Sequence, residues 1–127
     1  MKRVIFIFFL LVGLSITHAA FAAEVIDSFE TKIHIQPNSN IDIEEHILYD
    51  FDTTPHHGIF RDIPIHYKAR GGNFNLRISN ITVVDEQGKN YPFTVSYPGD
   101  NAQIKIGDPD VLITGKHVYV IRYTIRR

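Results

Sequence analysis

The sequence contains no cysteine and no tryptophan. Without a thiol the chain can form no disulfide, bind no metal through a thiolate and use no cysteine nucleophile. The absence of tryptophan leaves tyrosine and phenylalanine as the aromatic side chains on which a sugar could stack. A folded domain of this chain must therefore depend on its core for stability, without disulfides. A chain of about this length can supply one, because it buries roughly two thirds of its unfolded surface.

Long apolar runs are also scarce, and the single clear one lies at the start of the chain. Positive charge at Lys2 and Arg3 precedes an almost unbroken apolar run over residues 4–16, and Ala20-Phe21-Ala22 fits a cleavage site before Ala23. The run is shorter than the roughly 20 residues that span a bilayer. We therefore predict a signal peptide over residues 1–22, cleaved before Ala23. An uncleaved N-terminal anchor is the alternative.

The remainder, residues 23–127, is predicted to form one domain outside the cytoplasm, in the periplasm, at the cell surface or secreted. The full chain has 13 Lys and Arg residues against 14 Asp and Glu residues. Because Lys2 and Arg3 belong to the signal, the exported domain is net acidic when its histidines are neutral. Binding to nucleic acid requires a basic surface, so we expect no nucleic-acid partner.

Apolar residues in the exported part alternate with period two, and no segment has helical periodicity. The strongest strand candidates are residues 25–35, 41–51 and 117–125, and residues 52–61 form a long irregular stretch. Pro64 predicts that its short extended segment lies at a sheet edge, and a change of apolar phase near Ser79-Asn80 predicts a β-bulge. About seven short strands favour an all-β fold, an antiparallel immunoglobulin-like sandwich. A small barrel is the alternative.

Seven histidines suggest a metal site, but their spacing does not support one. His18 lies in the signal, and the other six show neither the i, i+2 spacing of a strand site nor the i, i+4 spacing of a helix site. A weak site through the adjacent His56 and His57 is the alternative. No serine lies in a Gly-x-Ser-x-Gly elbow, and no glycine-rich loop leads into a helix. We therefore expect no metal, no cofactor and no catalytic residue.

One residue breaks the pattern of its strand. The odd-numbered face of residues 41–51 is apolar except for Glu45. A carboxylate on a core face is costly unless it is paired and hydrogen-bonded. Arg61 is the nearest cation with apolar neighbours on both sides, so we predict a structural ion pair between Glu45 and Arg61. A polar spot that contacts a ligand or a partner is the alternative interpretation of the same pair.

The segments around these two residues resemble a known family. Residues 43–51 (Ile-Glu-Glu-His-Ile-Leu-Tyr-Asp-Phe) and residues 57–64 (His-Gly-Ile-Phe-Arg-Asp-Ile-Pro) are similar to motifs of the family catalogued as domain of unknown function 2207 (DUF2207), in its N-terminal extracytoplasmic domain. The similarity extends through residues 81–85, 104–107 and 112–123. The resemblance implies a bacterial cell-envelope protein of uncharacterised activity, in which transmembrane helices follow the β-domain. We interpret the chain as the N-terminal part of such a membrane-anchored protein, with a free-standing form as the alternative.

Two functional hypotheses follow. The first is a non-enzymatic extracytoplasmic interaction domain that contacts a protein partner in the envelope, with membrane association through C-terminal helices or an uncleaved signal. The second is a ligand-binding or hydrolytic module that uses the loop of residues 52–62. The second hypothesis requires a concave pocket on which four side chains of that loop converge, those of His56, His57, Arg61 and Asp62.

Overall fold

The computed structural model describes residues 24–127, which form nine β-strands and no helix. The strands are β1 (Val25–Ile35), β2 (Ile41–Asp50), β3 (Ile59–Pro64), β4 (His66–Ala69), β5 (Gly72–Asn75), β6 (Arg77–Val84), β7 (Phe93–Ser96), β8 (Asn101–Ile106) and β9 (Lys116–Arg126). The predicted signal peptide and its cleavage before Ala23 lie outside the described residues. No helix within residues 24–127 is long and apolar enough to cross a membrane.

Seven of the strands form two antiparallel sheets, with the order β1-β2-β9-β6 in the first and β3-β8-β7 in the second. The short β4 and β5 form a separate hairpin. The predicted all-β sandwich is confirmed. A constant-type immunoglobulin domain also has one sheet of four strands and one of three, and in it the fifth strand lies beside the second. In this domain the strand beside β2 is instead the last one, β9.

The core lies between the two sheets and follows the predicted alternation of each strand. The odd-numbered residues of β2 and β9 and the even-numbered residues of β8 point inward, because successive side chains of a strand point to opposite faces. The buried apolar set comprises Ile47, Phe51, Ile59, Ile63, Val83, Ile104, Ile106, Tyr119, Ile121 and Tyr123. β9 lies in the middle of its sheet, as its two apolar faces predict. Val120 is buried on the outer face of β9, between His46 of β2 and Val84 of β6.

Two local predictions are confirmed by the strand pairing. β3, which carries Pro64, is an edge strand that pairs with β8 alone in its sheet. The register of β6 against β9 shifts between Ser79 and Thr82, and Asn80 in the shift has a positive φ of 55°. This is the β-bulge expected near Ser79-Asn80.

The predicted irregular stretch over residues 52–61 is wrong in its last three residues, because β3 already begins at Ile59. The reason is a close approach of two glycines. Gly58 and Gly107 adopt φ values of +141° and +128°, and a Cβ on Gly58 would lie 1.9 Å from the carbonyl oxygen of Ile106. A glycine at each position therefore lets β3 pair with the end of β8 from its first residue.

Candidate functional site

Glu45 lies at the centre of β2 on the face between the sheets, and its exposed fraction is 2%. Its Oε2 accepts a hydrogen bond from Arg61 Nε at 2.8 Å, and its Oε1 accepts one from Arg61 Nη2 at 2.7 Å. Tyr123 of β9 donates its hydroxyl to the same Oε1 at 2.8 Å. Both carboxylate oxygens of this buried side chain are therefore hydrogen-bonded.

Arg61 reaches Glu45 from the other sheet. It lies in the middle of β3, opposite Ile104 of β8, so the ion pair connects β3 to β2 across the core. Its Nη1 also donates to the backbone carbonyl of Asp62. The hydrogen bond to Glu45 raises the pKa of the Arg61 guanidinium above its already high ordinary value. The forked geometry is one that arginine can offer to a carboxylate and lysine cannot.

Tyr123 is the third member of this cluster, and the sequence predicted it only as part of an apolar face. Burial raises the pKa of the Tyr123 hydroxyl, and its hydrogen bond to Glu45 raises it further. The hydroxyl therefore stays protonated and acts as a donor. A tyrosine on a core face normally needs a hydrogen-bond partner for its hydroxyl. The position of Tyr123 on the apolar face of its strand was therefore the feature of the sequence that could have indicated its contact with Glu45. The three side chains form a cluster without net charge that connects the two sheets.

The guanidinium of Arg61 also covers the ring of Phe29 in β1, with 5.5 Å between Cζ and the ring centroid. Its side chain retains 25% exposure, so the outer side of the ion pair is open to solvent. Every residue of β1 is exposed, so the second sheet leaves this strand largely uncovered.

Four apolar side chains on β1 form a surface that we call the apolar strip: Ile26, Phe29, Ile33 and Ile35. Phe29 pairs with Ile47 and Ile33 pairs with Ile43, so the strip lies on the core-facing side of its sheet. A register shift between Ile26 and Ser28 brings the even-numbered Ile26 onto the same side, opposite Tyr49. The exposed fractions run from 45% for Phe29 to 70% for Ile35. Thr31 lies on the same side between Phe29 and Ile33, so the strip is a row of exposed apolar side chains with one threonine in it. Arg61 covers part of this row, at Phe29.

The opposite face of the same sheet is polar and largely neutralised. Glu44 of β2 accepts hydrogen bonds from Lys32 Nζ of β1 at 3.1 Å and from Arg122 Nε of β9 at 2.6 Å. Its Oε1 lies 2.7 Å from His46 Nε2. The contact with His46, followed by those with Arg122 and Lys32, lowers the pKa of the Glu44 carboxyl to about 2. The charges of this cluster around Glu44 therefore satisfy one another, whereas Glu30 of β1 lies on the same face outside the cluster.

The loop of the second hypothesis is fixed by backbone contacts with the segment before β9. The amide of His56 donates to the Ile113 carbonyl at 3.0 Å, the amide of Ile113 donates to the His56 carbonyl at 2.8 Å, and the buried Phe51 donates to Gly115 at 3.0 Å. The ring of Phe51 stacks on that of His56 with a centroid distance of 5.2 Å. These contacts hold the loop against the body of the domain.

The four side chains of that hypothesis point in different directions. The ring of His56 points to the start of β1, with Nε2 2.6 Å from Glu24 Oε1. His57 Nδ1 contacts the Val111 carbonyl at 2.9 Å. Arg61 points inward to Glu45, whereas Asp62 lies exposed on the outer face of β3.

The two histidines therefore face a different part of the surface from the two β3 residues. A depression of about 270 Å³ is lined by His56 and His57 but not by Arg61 or Asp62. Asp62 instead accepts a hydrogen bond from Gln103 at 2.9 Å. Within residues 24–127, no three histidine or carboxylate side chains are grouped so that they could hold a metal ion. The structure thus brings Glu45 and Arg61 together, and it places Arg61 and Asp62 away from the depression that His56 and His57 line.

Comparison with known proteins gives one match. A family model described as the N-terminal domain of a predicted membrane protein (DUF2207) matches residues 25–127. The matched region begins with β1 and includes the Glu45–Arg61 pair, the apolar strip and the glycine pair at the start of β3. No curated protein and no solved structure matches the chain.

Proposed function

The chain belongs to the DUF2207 family of predicted membrane proteins, and from this premise we propose that its β-domain is a non-enzymatic interaction module outside the cytoplasm. In this proposal the module contacts a protein partner of the cell envelope through the apolar strip. The export signal predicted over residues 1–22 supports the extracytoplasmic location. The fold itself does not define a function, so the proposal depends on the surface.

The observation that carries the proposal is the exposure of the apolar strip. Exposed large apolar side chains are ordinary when they are scattered singly, whereas several of them grouped on one surface favour a contact site. The strip lies on one side of one strand, and its four members are each about half exposed or more. Full burial of one such side chain stabilises a complex by roughly 1.5–3 kcal/mol relative to full exposure, so even partial burial of four would contribute substantially.

The rigid setting of the strip supports the same function. β1 pairs with β2 over nearly its whole length, and the Glu45–Arg61 pair fixes β2 to the second sheet directly beneath the strip. A surface held in one conformation loses little conformational entropy when a partner binds. The scattered positions of His56, His57, Arg61 and Asp62 support a non-enzymatic role, because general acid–base or nucleophilic catalysis requires such groups to converge.

Photocrosslinking in the producing cell tests the proposal. A photoreactive amino acid replaces Ile33 in the strip, and the matched control replaces Phe60, which has a similar exposed fraction but lies on the outer face of β3. We expect a covalent protein adduct at position 33 that is much weaker at position 60. Ile35→Ser, combined with the probe at position 33, should lower the yield of the adduct. Equal yields at the two positions, or no adduct at position 33, would refute the proposal.

A further inference from the structure

β1 carries the apolar strip and is also an edge strand whose outer backbone groups are free to pair with another strand. It ends the first sheet, and no strand within residues 24–127 pairs with its outer edge. At 11 residues it is longer than the other edge strands, β3, β6 and β7. Natural edge strands are usually kept short, covered, bulged or strongly charged, which prevents pairing with another chain. The bulge in β1 lies near its start, so residues 28–35 run without a further register shift.

The charges on β1 are arranged so that the strand complements itself. Glu30 and Lys32 lie on the polar side of the strand, on either side of Thr31. In a two-fold antiparallel pair with its axis at Thr31, Glu30 lies opposite the partner's Lys32, and Lys32 lies opposite the partner's Glu30. On the other side of the sheet, Phe29 lies opposite the partner's Ile33. Opposite charges and apolar pairs across strands are the contacts that stabilise antiparallel pairing.

The neighbouring registers are worse for a physical reason. A two-fold axis perpendicular to the sheet keeps the apolar sides of both strands on the same face of the joined sheet. Such an axis must pass beside a residue, which then lies opposite its own copy, so the neighbouring registers have their axes at Glu30 and at Lys32. An axis at Glu30 would place that carboxylate opposite itself, and an axis at Lys32 would do the same with two ammonium groups. Like charges directly opposite destabilise a strand pair. The charge pattern therefore selects the axis at Thr31.

We propose that the partner is a second copy of this chain, paired along the edge of β1 about a two-fold axis at Thr31, so that the two apolar strips contact each other through cross-strand pairs. The inference rests on the proposed function and names the partner that the surface binds. The two four-stranded sheets join into one continuous sheet, and the two apolar strips lie side by side on the same face. Lys32 already contacts Glu44 at 3.1 Å, so the partner's Glu30 adds a second carboxylate beside that ammonium group.

Charge reversal provides the first test, using the purified exported protein in sedimentation-velocity experiments over a concentration series. Each single variant, Glu30→Lys or Lys32→Glu, turns both symmetry-related pairs into like-charge pairs, so we expect the dimer dissociation constant to rise by about tenfold or more. The double variant restores opposite charges and should return the constant towards its original value. Both substituted positions are exposed, and circular dichroism checks that the fold is intact.

A single cysteine provides the second test, because the chain has none of its own. In the proposed register Thr31 lies opposite the partner's Thr31, within the Cα separation that a disulfide requires. Thr31→Cys should therefore form a covalent dimer rapidly under mild oxidation. The matched control, Thr94→Cys, replaces another exposed threonine on the edge strand β7 and should form little covalent dimer.

The results separate this inference from the proposed function. A protein that remains monomeric over the whole series, a dimer insensitive to both charge reversals, or equal cross-linking at positions 31 and 94 would overturn the inference. If the photocrosslink at Ile33 then contains a different protein, the interaction module stands and the self-pairing falls. An Ile33 adduct with twice the mass of the chain, together with rescue by the double charge variant, supports both.

Discussion

Removal of Arg61 should destabilise the domain far more than the loss of an ordinary surface charge. In Arg61→Met the carboxylate of Glu45 keeps only the hydroxyl of Tyr123 as a partner and remains buried at 2% exposure. An uncompensated buried charge costs about 3–5 kcal/mol. The cation–π contact with Phe29 is lost as well, which adds about 0.5–1 kcal/mol because that site is partly exposed. We therefore expect the free energy of unfolding to fall by about 3–5 kcal/mol or slightly more.

A double-mutant cycle separates the pair from the effects of each side chain. Urea unfolding followed by circular dichroism, which needs no tryptophan, gives the free energy of unfolding of the wild type, Glu45→Gln, Arg61→Met and the double variant. The double variant should be much less destabilised than the sum of the single variants, with a coupling well above 0.5 kcal/mol. The exposed Lys116–Asp27 pair, treated in the same way, should give a coupling of about 0.2–1 kcal/mol. Additive effects at Glu45 and Arg61 would refute the reasoning.

Three further predictions concern acid stability, backbone packing and export. The contact with His46 helps to lower the pKa of Glu44 from 4.5 to about 2. The ionised Glu44 therefore stabilises the domain by about 1 kcal/mol above pH 4.5, and this contribution is lost as the pH falls towards 2. The difference in melting temperature between wild type and Glu44→Gln should shrink over that interval. Gly58→Ala should lower the free energy of unfolding by about 3 kcal/mol or more in urea titrations, because the new Cβ meets the backbone of Ile106. The exported protein should begin at Ala23, which intact mass spectrometry can measure.

Each of these predictions has a control or a contrary result. Glu86→Gln, in the exposed turn after β6, should show no such acid dependence of its effect, and a Glu44→Gln difference that stays constant from pH 5 to 2 would contradict the electrostatic explanation. Gly99→Ala shares the strain of a positive φ but meets no atom within 4 Å, so it should be clearly milder than Gly58→Ala. A membrane-retained product that still carries residues 1–22 would contradict cleavage before Ala23.

Much of the fold could be predicted from the sequence because it follows from local pattern. The alternation in β2 and β9 defined their inward faces, and the break in that alternation at Glu45 pointed to a charged partner in the core. The phase change near Asn80 indicated the bulge, and Pro64 indicated an edge. Each of these inferences needs only the neighbours of a residue along its own strand.

The rest depends on contacts that alternation does not describe. The pattern of β1 shows that Phe29, Ile33 and Ile35 share a side, but not that the second sheet stops before covering them. Burial of that side depends on how far β3 extends over β1. The early start of β3 depends on the approach of Gly58 to Gly107, residues far apart in sequence. The sequence therefore pointed to the Glu45–Arg61 pair but not to the exposure of the apolar strip.

Covalent footprinting tests the interaction role of the apolar strip most directly. Carbene labelling of the protein in the envelope of the producing cell is compared with labelling of the purified protein at high dilution. We predict that Phe29 and Ile33 are labelled in the dilute protein and protected in the envelope, whereas Phe60 and Tyr97, exposed elsewhere on the domain, are labelled similarly in both. Equal labelling of the strip in the two preparations would show that nothing covers it and would contradict the proposed function.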